Sequence, residues 1–287
     1  RFKKSINKLS INYMEFKAFK MDGLGNDFVI IDQRIKNIKL SKNQIVKICD
    51  RKFIGCDQLI IIKKKQKLDA FLEFYNSDGS SSGACGNGTR CVAYFLSKEN
   101  DKKEITVETS SGILKSIIHE NRLVETEIGK SKTIWNEIPI NKNLDTNNLK
   151  IEILDKNNEK HVGGTAVNVG NPHIVFFVDN VENFDLKKVG PKIENHELFP
   201  DKCNLTLAKI INKNLIKVKV WERGSGLTKA CGTAACAVAV AGMINGLVNN
   251  KTDIEFELGK LSIFIDNKKS VHMKGTVSDI KNIEIKI

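Results

Sequence analysis

The chain has 287 residues, 41% of them hydrophobic, which excludes a disordered tail and allows one large domain or two of ordinary size. No apolar run reaches the roughly 18 residues of a membrane-spanning helix, so no membrane partner is expected. The formal charge of +12 comes mostly from scattered Lys such as Lys63-Lys64-Lys65 and Lys187-Lys188, with only six Arg, which describes a solvated surface rather than a nucleic-acid stripe.

Residues 1–13 are basic, carry no acid, and are expected to lie outside the fold. A first strand is expected over 15–21, followed by strands over 28–32, 58–63, 70–75, 105–108, 113–118 and 123–128. Most are β-branched runs bounded by Gly, Asn or Asp. Ser41 is placed to cap a helix over 42–51. A second helix is expected over 87–98, where Cys91 to Leu96 is apolar on more than one face and therefore buried. The polar stretch 141–150 marks a boundary region. A second set of strands follows over 164–169, 174–178, 205–211, 215–221, 254–258 and 261–265. Asn212-Lys213-Asn214 and Gly259-Lys260 read as hairpin turns. A third helix, over 233–247, is again apolar all round.

Each half thus reads as strands, a Cys-Gly pair, a buried helix, and more strands. The predicted class is α+β, with two similar strand-rich domains. Each is a sheet or barrel wrapped around one central helix, and the active site lies in the cleft between them. Irregular strand order argues against a dinucleotide-binding α/β fold.

The two Cys-Gly pairs carry the chemistry. Cys85-Gly86-Asn87-Gly88-Thr89-Arg90-Cys91 and Cys231-Gly232-Thr233-Ala234-Ala235-Cys236 each open a helix. A helix start has unpaired N–H groups and a positive end, so it activates a thiol and binds a carboxylate. Two such starts facing one cleft would put a thiol on each side of the atom next to a bound carboxylate. That arrangement suits inversion at an amino-acid α-carbon: one thiolate removes the proton, N–H donors hold the charge, and the other thiol returns a proton. Cys49, Cys56, Cys91, Cys203 and Cys236 read as core residues. The spacings within each run exceed those of zinc pairs, so no metal is expected. Seven cysteines, an odd number without a leader-like segment, are expected to be reduced thiols in a cytoplasm.

The chain resembles the diaminopimelate epimerases from Met14 to its end. The resemblance rests on Gly23-Leu24-Gly25-Asn26-Asp27-Phe28, Asp57-Gln58-Leu59, Asn76-Ser77-Asp78-Gly79-Ser80, both Cys-Gly runs, Gly170-Asn171-Pro172-His173 and Trp221-Glu222-Arg223-Gly224. It implies a cofactor-independent epimerase that interconverts LL- and meso-diaminopimelate, a small-molecule partner, by a two-base mechanism in lysine and peptidoglycan-precursor synthesis. It implies Cys85 and Cys231 as the acid–base pair. Gly86, Asn87, Gly232 and Thr233 would hold the α-carboxylate, with His173 and Glu222 auxiliary to the chemistry. Asn26, Gln58, Asn76, Asn171, Asn204, Glu222 and Arg223 would complete the substrate contacts. The expected domains are 14–130 with 277–287, and 131–276. Three positions depart from the family pattern: Ala234 for a usual Gly, Asp22 for a frequent His, and Lys281 for an aromatic that supports the family's dimer. A homodimer is therefore possible but placed in doubt by Lys281. A proline racemase-like enzyme and a thiol- or metal-binding module are the competing readings. Asn87 and the Trp221 to Gly224 run favour diaminopimelate over proline.

Overall fold

The computed structural model describes residues 14–287, and the expectation for residues 1–13 lies outside the described residues. The first half runs β1 (Glu15–Gly23), β2 (Asn26–Asp32), α1 (Lys42–Cys49), β3 (Gln58–Lys63), β4 (Ala70–Asn76), β5 (Ser81–Ser82), α2 (Gly86–Asn100), β6 (Glu104–Thr109), β7 (Gly112–Ile118) and β8 (Leu123–Lys130). A hairpin of β9 (Ile151–Leu154) and β10 (Lys160–Gly163) follows. The second half runs β11 (Thr165–Asn168), β12 (Pro172–Phe177), α3 (Leu186–Glu194), β13 (Asn204–Asn212), β14 (Leu215–Glu222), β15 (Gly226–Thr228), α4 (Gly232–Ile244), β16 (Lys251–Phe256), β17 (Gly259–Ile265) and β18 (Ser270–Thr276). The last strand is β19 (Lys281–Lys286).

One order of connections occurs twice. β1 pairs antiparallel with β2, β2 parallel with β3, β3 antiparallel with β4, and β4 parallel with β6. The same sequence of pairings links β11, β12, β13, β14 and β16. β6, β7 and β8 then form a meander, as do β16, β17 and β18. The halves are stitched by antiparallel β8 and β18. β19 returns to pair with β1.

Each sheet wraps its central helix. Cys91, Val92, Ala93, Phe95 and Leu96 of α2 pack on Phe28, Ile30, Ile60, Ile62 and Phe74. The Ala/Val run of α4 packs on Val167, Val175, Ala208, Ile216 and Val218. β2 and β3 are apolar at successive residues because the sheet is covered on both faces: Val29, Ile31, Leu59 and Ile61 point away from α2 and under α1. Burying one such side chain contributes about 1.5–3 kcal/mol, which commits both faces of the strand.

The expected elements form with shifted ends. Ser41 caps α1 in a capping box with Gln44, and α1 ends at Cys49. The turn expected at Gly259-Lys260 is corrected: Phe256 pairs with Gly259, so Glu257 and Leu258 form the turn and Gly259 opens β17. The cause is a contact across the halves. Leu258 packs where a Cβ on Gly25 (φ +80°) would stand, and Leu24 where one on Gly259 would. The two turn tips therefore interlock. Helix α3 has no counterpart among the expected elements, because Gly190-Pro191 inside it reads as a breaker. β18 and β19 have no counterpart among the expected strands; β19 was hidden by its exposed Lys281, Glu284 and Lys286.

Candidate active site

Cys85 and Cys231 occupy the same place in the two halves. Each is the N-cap of a central helix, with extended backbone at φ −139°, ψ 115° and φ −143°, ψ 118°. Gly86 and Gly232 begin the helices, and Asn87 and Thr233 follow them. Gly88 N–H donates to Cys85 Sγ at 3.5 Å. Cys231 Sγ lies 3.4 Å from Thr233 Oγ1.

The two starts converge. A Cβ on Gly232 would stand 3.1 Å from Asn87 Oδ1 and 2.9 Å from Met273 Sδ. A Cβ on Gly86 would stand 2.4 Å from Met273 Cε. Met273 of β18, 0% exposed, is the wedge between the helix starts. Glycine at both positions lets Met273 approach the helix starts closely, and neither has a positive φ that would call for it.

Strand ends from each half supply polar groups. In the first half, Asn26 Oδ1 is 3.8 Å from Cys85 Sγ and 3.4 Å from Asn87 Nδ2. Asn26 Nδ2 donates to Asp57 Oδ2 at 3.0 Å, and Arg51 clamps Asp57 and Asp27 at 2.6 and 2.7 Å. Gln58 Nε2 donates to Asn76 Oδ1 at 2.9 Å, and Asn76 Nδ2 to Ser80 Oγ at 3.0 Å. Gln58 Oε1 is left buried without a partner among the described residues.

The second half places its residues on the matching strand ends. His173 Nε2 is 2.9 Å from Asn171 Oδ1, and donation there leaves Nδ1 as an acceptor. Nδ1 is buried and has no partner among the described residues. Asn204 sits opposite His173 in the parallel β12–β13 pair. Its Nδ2 donates to Pro172 O at 2.9 Å and its Oδ1 accepts from Arg223 N at 2.9 Å. The Arg223 side chain donates to Asp201 O. Glu222 ends β14, beside Cys231.

Burial dominates the electrostatics. Desolvation pushes Cys85 up to about 11; the Gly88 N–H works against it and the Glu222 carboxylate adds to it. Cys231 is raised well above the ordinary thiol range by burial and then by Glu222, against the pull of Thr233. Glu222 is itself raised, first by burial, while Thr228 and Cys231 lower it and Asp57 of the other half raises it. Burial holds His173 at about 3, so its imidazole is neutral.

The other cysteines are packing residues. Cys91 and Cys236 are 0% exposed within the helices. Cys49 and Cys56 approach to 3.5 Å, Sγ to Sγ. They pack with Val29, Ile31, Leu59 and Ile61 under α1, on the sheet face opposite α2 and Cys85.

The chain matches the family model described as "Diaminopimelate epimerase" over residues 18–134 and 165–280. It is 72% identical over 274 residues to the diaminopimelate epimerase of Pelagibacter ubique (strain HTCC1062), covering 96% of this chain and 100% of that one. The chain belongs to the diaminopimelate epimerase family. It is an isomerase, and its fold is shared more widely. A Bacillus anthracis phenazine biosynthesis protein of the PhzF family superposes with a TM-score of 0.65 at 14% identity, covering 96% of this chain and 100% of the other. A probable proline racemase from Agrobacterium radiobacter K84 superposes at 0.66 and 10% identity, covering 94% and 92%. At such identities the likeness is one of fold alone.

Three residues of this epimerase escaped the sequence reading. Arg90 stood inside a quoted motif without a role, although a charge in an otherwise buried helix was a usable signal. Met273 carried no signal. Glu194 lay in the unanticipated α3. Its Oε2 accepts from Trp221 Nε1 at 2.8 Å and its Oε1 from Gly224 N at 3.1 Å, so it holds both flanks of Glu222-Arg223.

Proposed function

We propose that Cys85 and Cys231 are the acid–base pair of this epimerase. The convergence of two cysteine-capped helix starts at Asn87, Gly232 and Met273 carries the reading. The reaction is the cofactor-independent, cysteine-based epimerisation of diaminopimelate in lysine biosynthesis. In the stereochemical form we favour, LL- and meso-diaminopimelate interconvert. The α-carboxylate binds the first-turn N–H groups around Gly86-Asn87 and Gly232-Thr233. One cysteine, as thiolate, takes the α-proton. The electron pair spreads onto the carboxylate, where the fixed N–H donors stabilise it. The other cysteine, as thiol, delivers its proton to the opposite face and becomes the thiolate. The product is inverted, and the enzyme is ready for the reverse direction.

The raised thiols need help to ionise. A substrate ammonium close to Glu222 offsets the negative field that raises both of them. His173, neutral and with Nδ1 free to accept, suits an auxiliary role beside that ammonium. Gln58 Oε1 is a ready acceptor for the distant ammonium, and Asn26, Asn76, Asn171, Asn204 and the Arg223 backbone shape the rest of the site. Free thiols at a catalytic centre fit a reducing compartment, the cytoplasm. At the start of β19, the exposed ammonium of Lys281 disfavours a close-packed dimer there, which light scattering tests.

Cys85→Ala and Cys231→Ala are each expected to abolish epimerisation in a chiral assay. With LL-substrate in deuterated water, product is expected to gain deuterium at one α-carbon. Full activity in either variant, or faster turnover of proline in a parallel assay, would overturn the assignment.

A further inference from the structure

A run of side-chain hydrogen bonds passes beside Cys85. Arg90 Nη2 donates to Asn87 Oδ1 at 3.0 Å, Asn87 Nδ2 to Asn26 Oδ1 at 3.4 Å, and Asn26 Nδ2 to Asp57 Oδ2 at 3.0 Å. The ends fix its direction. A guanidinium only donates and an ionised carboxylate only accepts. Neither amide between them can turn over without setting donor against donor or acceptor against acceptor. Asn26 therefore shows its carbonyl oxygen, not its NH2 group, to the Cys85 thiol at 3.8 Å.

Asp57 is itself held on every side. Its Oδ2 also accepts from Asp27 N at 3.1 Å, and its Oδ1 accepts from Arg51 Nη2 at 2.6 Å. Its own N–H donates to Asp27 Oδ1 at 2.9 Å. Arg51 Nη1 and Lys20 Nζ balance the Asp27 carboxylate at 2.7 and 3.4 Å. The second half has a different arrangement. Phe28 lies opposite Gln58 and His173 opposite Asn204, so Asn171 and Cys203 stand where Asn26 and Asp57 do. Cys203 Sγ donates to Ile193 O at 3.3 Å, and Asn171 Oδ1 meets His173 Nε2.

We propose that Asp57 is a positioning residue for the epimerisation: it pins the Asn26 amide so that a fixed acceptor faces Cys85. This rests on Cys85 being one of the acid–base pair. The Asn26 oxygen accepts from the thiol S–H and so aims the proton-bearing group before substrate arrives. Without Asp57 the amide is free to turn its NH2 group toward the sulfur, and that aim is lost. Asp57 acts through Asn26 and not on substrate.

The test is a double-mutant cycle on kcat and KM. Asp57→Ala is expected to lower kcat about tenfold, the worth of one orienting hydrogen bond to a charged group, with a smaller rise in KM. In an Asn26→Ala background the same change is expected to alter kcat by less than about twofold, because the group it positions is gone. A merely structural role would give the same factor in both backgrounds. Asp57→Asn keeps the acceptor. Asn26 Nδ2 and Asp27 N both converge on the Oδ2 position, while only the exposed Arg51 approaches Oδ1, so the new amide turns its oxygen toward Asn26. Its kcat is expected to stay within about threefold of wild type. Equal factors in the two backgrounds, wild-type kcat in folded Asp57→Ala, or Asp57→Asn as slow as Asp57→Ala overturns the proposal. If Asp57→Ala does not fold, Asp57→Ser takes its place in the cycle; its hydroxyl serves Asp27 N but is one atom short of Asn26. Retained turnover in Cys85→Ala would sink the acid–base assignment itself, whereas lost turnover there with equal factors in the cycle would sink only the role of Asp57.

Discussion

At the scale of the residue, the thiols were legible because two Cys-Gly pairs open two apolar runs. Their setting was not. Position at a helix start argues for a lowered thiol, yet burial outweighs it, and both cysteines are raised in the folded chain. The sign of the pH dependence follows. Catalysis needs one thiolate, the thiolate fraction grows as pH rises toward the raised values, and so kcat/KM is expected to climb from neutral into the alkaline range. Glu222 adds to this. Its negative charge disfavours a second negative charge at either cysteine, so Glu222→Gln is expected to move thiol alkylation to lower pH by up to about one unit. Turnover falls at the same time, because the auxiliary carboxylate is gone. A pH series of alkylation and kcat/KM on this variant checks both, and an upward shift would contradict the geometry. His173 and Gln58 show the same limit of sequence reading. Their motifs pointed to the site, but only the packed structure shows which atom of each is left without a partner.

At the scale of the element, buried strands and helices were readable from apolar runs, and what escaped was whatever depends on a distant neighbour. Helix α3 is the clearest case. Gly190 interrupts its pattern, yet a Cβ there would stand 2.2 Å from Trp221 Cδ2, so the glycine exists to admit the indole ring. The ring is rigid and cannot yield as a flexible chain end would. Gly190→Ala is therefore expected to cost about 1–3 kcal/mol in denaturant titration, as overpacking does. It also displaces the strand end that carries Glu222, so kcat/KM falls. Gly86→Ala clashes only with the Met273 methyl, the end of a flexible side chain, and touches Ile128 Cδ1 at ordinary contact distance, so it is expected to be milder in stability. Glu194, also on α3, tests the same support from the polar side. Glu194→Ala leaves Trp221 Nε1 and Gly224 N without their acceptor, at about 1–3 kcal/mol. It is expected to lower kcat with little change in the pH profile, since no titrating group at the thiols has changed.

At the scale of the whole molecule, the repeated order of connections supports the division we propose, 14–130 with 277–287 and 131–276. The halves do not behave as beads on a string. β8 and β18 pair from Leu123–Thr276 to Lys130–Ser270. Leu24-Gly25 and Leu258-Gly259 interlock, Met273 wedges between the helix starts, and Arg90 spans Gly23 and Gly275. The chain then crosses back so that β19 pairs with β1, with Ile285 opposite Phe16 and fully buried. Opening either half would strand a sheet edge in the other, and opening the second would also uncover the buried Arg90 guanidinium of the first. The two halves are therefore expected to unfold together. Hydrogen exchange read by mass spectrometry in graded denaturant is expected to give α2 and α4 the same opening free energy and the same denaturant dependence. Separate transitions would mean that the seam is weaker than its contacts imply. Removing residues 281–287 is expected to lower protection in α4 as well as α2, although β19 touches only β1 by pairing, because the loss of one half removes the partner of β18.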